Sequence, residues 1–307
     1  MPAMFVHYNF ALMNAEGRDK QYIEATRLGS QGPDPFFFFG ILRRGNGKHK
    51  KLIRKFGSAE HKKDISEDYL KMKEYAEKSE DKDLLLSYLD GLFMHYCVDK
   101  TFHPYVFYRS GFDENGNLKG YYSYSHAHFE SILDVEISKK YNIYQRISNC
   151  LKIDDEQLLK ISKMWSSLGY DISEKDYFYA VKDYAKVENI LFSRTGLKRC
   201  FFVLGGRHGM LMGISYPHFM NKYKELDVQN VNKKEWKHPV TGESFNLSVD
   251  ELYAHASSEF KIVKNILEKN LSKAEELKLV KDFVNETNHD GIKIGTKKVL
   301  FDLCFKK

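Results

Sequence analysis

The sequence lacks the features that divide a chain into separate units. Only six prolines occur among 307 residues, and glycine and proline do not cluster into a linker. No internal repeat is visible at periods of about 20 to 50 residues, which argues against a solenoid or a propeller. Because nothing marks a boundary, we predict a single domain over residues 1–307.

Cysteine is scarce and scattered along the chain. The four cysteines, Cys97, Cys150, Cys200 and Cys304, lie far apart and form no CxxC pair. This spacing argues against a disulfide framework and against a zinc site built from thiolates.

Long hydrophobic runs are also absent. The longest apolar run, 36–42, is far too short to cross a bilayer. The opening residues MPAMFVHYNF lack the charged flank and the long apolar stretch of a signal peptide. We therefore expect a cytoplasmic protein with no transmembrane segment.

Helical periodicity is present over most of the chain, and strand alternation is hard to find. Hydrophobic residues make up 42% of the sequence, which is enough to bury a core. The predicted helices cover 84–102, 125–139, 177–192, 249–271 and 274–284. Turn-rich residues predict a loop over 113–120, and the polar stretch 225–246 predicts a long connection. The fold class predicted is all-α.

The net charge of +6 is concentrated in a basic stretch, residues 43–55. Such a stretch is typical of a solvated loop or helix face, and it also suits contact with a phosphate-bearing partner or an anionic membrane. The sequence leaves both interpretations open.

Histidine marks the part of the chain that carries chemistry, because seven of the 12 histidines lie in the first 130 residues. In the segment GLFMHYCVDKTFHPY, His95, Asp99 and His103 stand four residues apart. Each step of four residues turns about 40° past a full circle on a helix, so the three side chains share one face. Pro104 predicts that the helix ends at His103 and that His103 points away from the other two.

A second segment, SHAHFESILD, repeats this spacing with His126, Glu130 and Asp134. Imidazole and carboxylate one helical turn apart are suitable metal ligands, for zinc and also for iron or manganese. Taken alone, each pair is equally consistent with a helix-stabilising contact. Two such segments on apolar helices joined by one loop favour metal binding, because buried His, Asp and Glu without partners would be costly.

These segments resemble the bacterial zinc-dependent phospholipase C family. That family shows a His-Tyr-x-x-Asp helix, a following His, and a His-x-x-x-Glu helix that ends in Asp, as do HYCVD and HAHFESILD here. The segments MPAMFVHYNFAL, GSQGPDPFFF, GLFMHYCVDKTFHPYVFYRSG and KEWKHPVTGESF resemble intracellular members. The resemblance implies an all-α, multi-helix domain with a metal-site core over 1–140 and a helical C-terminal part over 141–307. Fungal single-strand-specific zinc nucleases share this fold and metal scheme.

The resemblance implies a set of metal ligands. His95 and Asp99 match ligands of a zinc pair, with Asp99 bridging two ions. His103, His126 and Glu130 match the ligands of a further zinc, although His103 follows Asp99 by four residues where the secreted enzymes have six.

The resemblance also assigns residues nearer the N-terminus. Asp34 matches an Asp that binds zinc and acts as general base. One more His ligand is expected, and His61 fits better than its competitor His49. His7 matches the His that holds a third zinc together with the chain's own N-terminus. Secreted members expose a Trp amine there, whereas this chain starts with Met1-Pro2, so the expected number of zinc ions is two to three.

The implied activity is hydrolysis of a phosphoester by water activated between metals that lie about 3.5–4 Å apart. The resemblance does not fix the substrate, and the first hypothesis is a phospholipid. A nuclease or a hydrolase of soluble phosphoesters is the alternative, for which only Tyr121, Tyr122 and Tyr124 offer local stacking rings. A non-catalytic module that keeps zinc for folding is a third hypothesis, which the mixed His, Asp and Glu ligands disfavour.

The remaining residues that the sequence singles out have two interpretations each. Asp134 is either a partner of the metal ligands or an exposed helix carboxylate. The rings of 36–39 either line a substrate pocket or pack in the core, and packing is the favoured interpretation. Six histidines without a spacing partner are predicted to be structural or surface residues: His128, His208, His218, His238, His255 and His289.

Overall fold

The structure is a computed structural model that describes residues 4–15, 20–192, 197–202, 206, 208–217 and 220–305. The α-helices are α1 (Met4–Asn14), α2 (Ile23–Gly29), α3 (Gly47–Glu60), α4 (Ser66–Glu77), α5 (Lys82–Ser110), α6 (Tyr121–Lys140), α7 (Ile147–Cys150), α8 (Asp155–Ser166), α9 (Glu174–Leu191), α10 (Leu197–Phe202), α11 (Met210–Ile214), α12 (Val249–Leu267) and α13 (Lys273–Val284). Short 3-10 turns cover Lys20–Tyr22, Asp34–Phe38 and Met220–Leu226.

The predominance of helix confirms the all-α prediction. In the described part of the chain, the only named strands are β1 (Trp236–Lys237) and β2 (Ser244–Phe245), which pair antiparallel with Trp236 opposite Phe245. They lie inside the stretch 225–246 that the sequence predicted to be a connection. Among the described residues, no helix is both long enough and apolar enough to cross a bilayer.

Helix α5 forms the centre of the fold because it is buried along nearly its whole length. Helices α1, α2, α4, α6, α8 and α12 all pack against it. Apolar side chains on all sides of a helix predict such a central position. His95, Asp99 and His103 therefore lie on a helix that is buried at the centre of the fold.

The predicted helix end at His103 is wrong, because α5 continues through Pro104 to Ser110. A proline inside a helix removes one hydrogen bond and costs roughly 3 kcal/mol. The next turn buries Tyr105, Val106 and Phe107, and each such side chain contributes about 1.5–3 kcal/mol. Burial therefore outweighs the lost hydrogen bond, and His103 stays on the helix.

The C-terminal segment, residues 285–305, wraps back over the end of α5. Its backbone N–H groups at Asp302 and Cys304 donate to the carbonyls of Tyr108 and Arg109, at 2.8 and 2.9 Å. Gly291, with a φ of +70°, comes so close to Pro104 and to the Lys100 carbonyl that an added Cβ would lie 2.2 Å from that oxygen. Only glycine permits this approach. The segment thus covers the part of α5 where the proline interrupts the helical hydrogen bonds.

Candidate metal centre

Three buried groups of histidines and carboxylates lie in the first half of the chain, and each could hold a metal ion. Within each group the possible ligand atoms all lie within 4.8 Å of one another. The groups are the His7 group (His7, His95, Asp99), the Asp34 group (Asp34, His61, His95) and the Glu130 group (His103, His126, Glu130). Their members are the eight residues that the sequence analysis selected as metal ligands.

Five elements bring these residues together. His7 lies on α1, Asp34 begins a 3-10 turn, and His61 caps the C-terminus of α3. His95, Asp99 and His103 follow one face of α5, and His126 and Glu130 lie one turn apart on α6. The rotation of about 40° per four residues directs His95 and His103 to different groups on the same continuous helix.

Backbone carbonyls fix the orientation of three imidazoles through Nδ1. His61 donates to Gly57 O at 2.7 Å, His95 to Ser30 O at 3.1 Å and His103 to His289 O at 2.6 Å. With the proton at Nδ1, the lone pair lies at Nε2, where it can bind a metal. Nε2 of His61 accordingly lies 3.0 Å from an oxygen of Asp34. This arrangement is typical of histidines that ligate metals.

Asp99 lies between the groups. Its Oδ1 is 3.2 Å from His7 Nε2, and its Oδ2 is 3.0 Å from His95 Nε2. Oδ1 also lies 3.8 Å from His103 Nδ1. A carboxylate whose two oxygens face different imidazoles has the geometry expected of a bridging ligand.

Several buried polar atoms of the three groups lack a hydrogen-bond partner, and a metal ion would satisfy them. His95 Nε2, Glu130 Oε2 and His7 Nδ1 are buried and have no hydrogen-bond partner among the described residues. Unpaired buried polar atoms are rare and costly. A cavity of about 20 Å³ lies between His7, Asp99, His103 and Glu130, which is room for one water or one ion.

The electrostatics of the site favour ionised carboxylates. Burial opposes ionisation of Asp99, but the imidazoles of His95 and His103 outweigh it and hold the pKa of Asp99 well below its usual range. Burial is likewise outweighed at Glu130, where His126 and His103 lower the pKa. At His103, burial is overcome by the Asp99 and Glu130 carboxylates, which raise the pKa to about 9. A divalent cation would replace the extra proton that the His103 imidazole carries.

Gly32 provides the space for the His95 ring. Its φ is +56°, and an added Cβ would lie 2.2 Å from His95 Cδ2. The chain therefore needs glycine here for its conformation and for the position of the ligand ring. Ser30, two residues earlier, supplies the carbonyl that holds the same ring.

An open pocket of about 440 Å³ has His61, His103 and His126 on its wall. Three lysines also line it: Lys62, Lys119 and Lys298. The Lys298 ammonium lies 3.9 Å from the centroid of the Phe107 ring and 3.2 Å from an oxygen of Asp290. The pocket therefore combines metal ligands, cations and apolar rings.

Two histidines that belong to the groups, His61 and His126, each have a second histidine nearby in sequence, and the structure places the members of each pair differently. His61 joins Asp34, whereas His49 is exposed and lies 2.7 Å from Asp176 outside the groups. His126 joins Glu130, whereas His128 stacks on Tyr124. Met1 and Pro2, which stand where the secreted family members expose a Trp amine, lie outside the described residues.

Asp134 is fully buried, so its interpretation as an exposed carboxylate is wrong. It accepts a hydrogen bond from Val6 N at 2.8 Å and lies 3.3 Å from the hydroxyl of Tyr216. Asp134 thereby holds the first turn of α1, the helix that carries His7.

The rings of 36–39 divide between the core and the pocket. Phe36 packs against Trp165 in the core and Phe38 against Tyr184, while Phe37 tilts against His61 and lines the pocket. Packing is thus the correct interpretation for most of this stretch, and Phe37 is the exception.

The remaining residues named from the sequence are not members of the three groups. In the basic stretch, Lys48, Lys51 and Lys55 are exposed on α3. Tyr121 and Tyr122 contact one another edge to face. His208 and His255 are exposed, His238 is half-buried, and His218 lies outside the described residues.

The position of His289 beside the ligand groups was not predicted from the sequence. It was grouped with structural or surface histidines, and the surface alternative is wrong because its side chain is fully buried. Its ring lies against those of His61 and His95, with centroids 5.0 and 5.4 Å apart. Burial and the neighbouring imidazoles hold the pKa of His289 well below its usual range, so the ring is neutral. No local spacing marks this histidine, since its neighbours in space, His61 and His95, are far from it in sequence.

Comparison with known proteins does not extend this description. No protein-family model matches the chain, and searches of curated proteins and of solved structures found no significant match.

Proposed function

We propose that this protein is a zinc-dependent phosphoric ester hydrolase with the fold and metal scheme of the bacterial zinc-dependent phospholipases C. The observation that carries the proposal is the coincidence of three buried ligand groups with a pocket that bears three lysines. Histidine with carboxylate is a ligand set typical of catalytic zinc sites, which keep a position open.

The three groups would hold two to three zinc ions. Zinc bound there supplies a Lewis acid and lowers the pKa of water toward neutrality. Asp99 holds negative charge between the His7 and Asp34 groups, which favours two cations close together. The carbonyls of Gly57, Ser30 and His289 keep the imidazole rings in their ligating orientation.

The pocket residues bind and orient the substrate. Lys62, Lys119 and Lys298 neutralise the phosphoryl oxygens, because ammonium groups bind phosphate through charge-assisted hydrogen bonds. Phe37 and Phe107 provide an apolar wall beside the phosphate position. Asp34, held as a carboxylate beside His61, is the proposed ligand and general base.

A phospholipid is the substrate class that this proposal puts first. The exposed lysines of α3 would support peripheral contact with an anionic membrane. A nuclease or a hydrolase of soluble phosphoesters is the alternative, and Tyr121 and Tyr122 pack against each other rather than forming a free stacking surface. A non-catalytic zinc module is disfavoured by the open pocket, since structural zinc sites are closed.

The test combines metal analysis with a panel of phosphoesters. Protein purified without chelator is assayed for metal content and then against phosphatidylcholine vesicles, single-stranded DNA and bis-(p-nitrophenyl) phosphate. We expect two to three zinc ions per chain and hydrolysis of the vesicles. Less than one metal ion per chain, or metal without hydrolysis of any substrate, would refute the proposal, and cleavage of DNA alone would establish the nuclease alternative.

A further inference from the structure

His289 is a buried imidazole in the C-terminal segment that takes no part in the three ligand groups. Its ring forms a cluster with those of His61 and His95, at centroid distances of 5.0 and 5.4 Å, while His61 and His95 are 5.8 Å apart. The edge of Tyr96 closes another side of the ring, with the centroids 5.3 Å apart. The imidazole is therefore enclosed by two expected ligands of one metal position and by an aromatic ring.

Neither ring nitrogen of His289 has a hydrogen-bond partner among the described residues. A neutral imidazole carries one N–H donor and one acceptor. Burying both without partners is unfavourable, and an apolar ring would fill the same space without that penalty. Packing alone therefore does not account for a histidine at this position.

The backbone of His289 is hydrogen-bonded to one residue of the Asp34 group and to one residue of the Glu130 group. Its N–H donates to His61 O at 3.2 Å, and its carbonyl accepts the Nδ1 proton of His103 at 2.6 Å. The side-chain oxygen of Asn288 accepts a hydrogen bond from Asp290 N at 3.0 Å, which stabilises the turn. The ring is thus presented to the Asp34 group by a backbone that also orients a ligand of the Glu130 group.

We propose that the His289 imidazole hydrogen-bonds the oxygen ligand that completes the coordination of an ion held by Asp34, His61 and His95. The inference rests on the metal centre of the proposed function. Three protein ligands leave a position for water or for an oxygen of phosphate. In the described part of the chain, the ligand groups within 4.8 Å do not include His289, so we assign its imidazole to the oxygen ligand rather than to the ion itself.

The test replaces His289 by phenylalanine, which keeps the ring and removes both nitrogens. Wild-type and His289→Phe proteins are loaded with Co²⁺, and metal content, visible absorption and affinity for inorganic phosphate are measured. We expect unchanged metal content, an altered absorption band and phosphate binding weaker by about 10–100-fold, the loss typical of outer partners of metal ligands. The spectrum without phosphate reports the water ligand, and the titration reports the phosphate oxygen.

Two further variants keep the outcome unambiguous. His289→Gln retains a donor and an acceptor and should recover part of the phosphate affinity, and it serves as the test variant if His289→Phe does not fold. His128→Phe is the matched control, because His128 is also buried and stacked on rings but lies outside the groups. It should leave the spectrum unchanged.

Three results would overturn the inference. An unchanged spectrum with unchanged phosphate affinity in His289→Phe would mean that the ring only packs. Loss of one metal ion per chain would make His289 a direct ligand. An equal spectral change in His128→Phe would mean that the spectrum reports general repacking. None of these results depends on turnover, so a metal-loaded protein without phosphoesterase activity would refute the proposed function and leave this test intact.

Discussion

Two buried acidic regions of the molecule lie one helical turn apart and behave in opposite ways. Glu130, on α6, faces His103 of α5 and His126 of its own helix. Its pKa is lowered in spite of burial. Asp134, on the next turn of the same helix, lies near Glu188 and Tyr216. Burial, and to a smaller extent the neighbouring acidic groups Glu188 and Glu130, raise the pKa of Asp134 well above its usual range.

The difference shows what makes a buried carboxyl group suitable to bind a metal ion. Removal from water disfavours the charged form at both places, and at Glu130 the neighbouring imidazoles help to reverse that effect. Glu188, which accepts the Tyr216 hydroxyl at 2.8 Å, has its pKa raised to about 8 by burial. The imidazole-rich region, which contains the three ligand groups, therefore offers carboxylates to a cation. The region of Asp134, Glu188 and Tyr216 instead holds neutral carboxyl groups that stabilise the fold.

The largest expected effect separates Asp99 from Asp134. Asp99→Ala removes the charge between two ligand groups, so we expect loss of phosphoesterase activity and metal affinity lower by more than about 100-fold. Asp134→Asn keeps the shape of a neutral group, so metal content should be retained. Elemental analysis and activity assays on both variants check this, and equal loss of metal in the two would remove the distinction between the regions.

The next effect tests which histidine belongs to the imidazole-rich region. His126→Ala should lower metal content and activity, because His126 Nε2 lies 3.3 Å from Glu130 Oε1. His128→Ala should affect neither to the same degree, since two residues along a helix place its side chain about 200° away from His126. Metal analysis showing loss of zinc from His128→Ala alone would contradict the assignment of ligands on α6.

Chelation should destabilise the protein through the ligand groups only. A metal present at about 100 times its Kd for the folded state adds roughly 2.7 kcal/mol to the free energy of unfolding, which corresponds to a Tm change of about 4 °C for a chain of this length. Thermal denaturation with and without chelator should show this decrease in the wild type. A similar decrease in Asp99→Ala would indicate that the metal is bound elsewhere.

The smallest expected effect concerns Glu188, in the region of Asp134, Glu188 and Tyr216. Because the pKa of Glu188 is about 8 in the folded protein and 4.5 in the unfolded chain, the folded state keeps a proton that the unfolded state loses. Stability from this group is complete below pH 4.5 and is lost as the pH rises toward 8. Glu188→Gln cannot ionise and keeps an acceptor for Tyr216.

Thermal denaturation of Glu188→Gln and wild type at about pH 5 and pH 8 measures this linkage. The Tm of the variant relative to the wild type should rise by a few degrees between the two pH values. A difference that stays constant with pH would mean that Glu188 is ionised in the folded protein, as the carboxylates near the imidazoles are.

Much of the site could be predicted from local spacing. His95 and Asp99, like His126 and Glu130, are four residues apart, and a helix converts that spacing into adjacent side chains. The pairing of Asp34 with His61 was inferred only through the family resemblance, because 27 residues separate them. The contacts of His289 and Lys298 depend on how the C-terminal segment returns to α5, and no local pattern encodes that return.

The helix boundaries show the same division. Ser248 and Glu251 form a capping box at the start of α12, and Ser272 and Glu275 form one at α13, so the sequence marks both starts. Pro104 marked an end that does not exist, because burial of the following turn outweighs the local penalty. The capping boxes therefore mark these two exposed helix starts, whereas the rule for proline failed in the core.

The sequence by itself determined the helical class and the two ligand pairs on α5 and α6, because these follow from interactions within one or two turns of a helix. Only the tertiary structure decided which carboxyl groups are ionised and where His289 lies. Those properties depend on burial and on charges brought together by residues distant in sequence. Glu130 and Asp134 illustrate the reason, since one helix presents both and their neighbours in space shift the two pKa values in opposite directions.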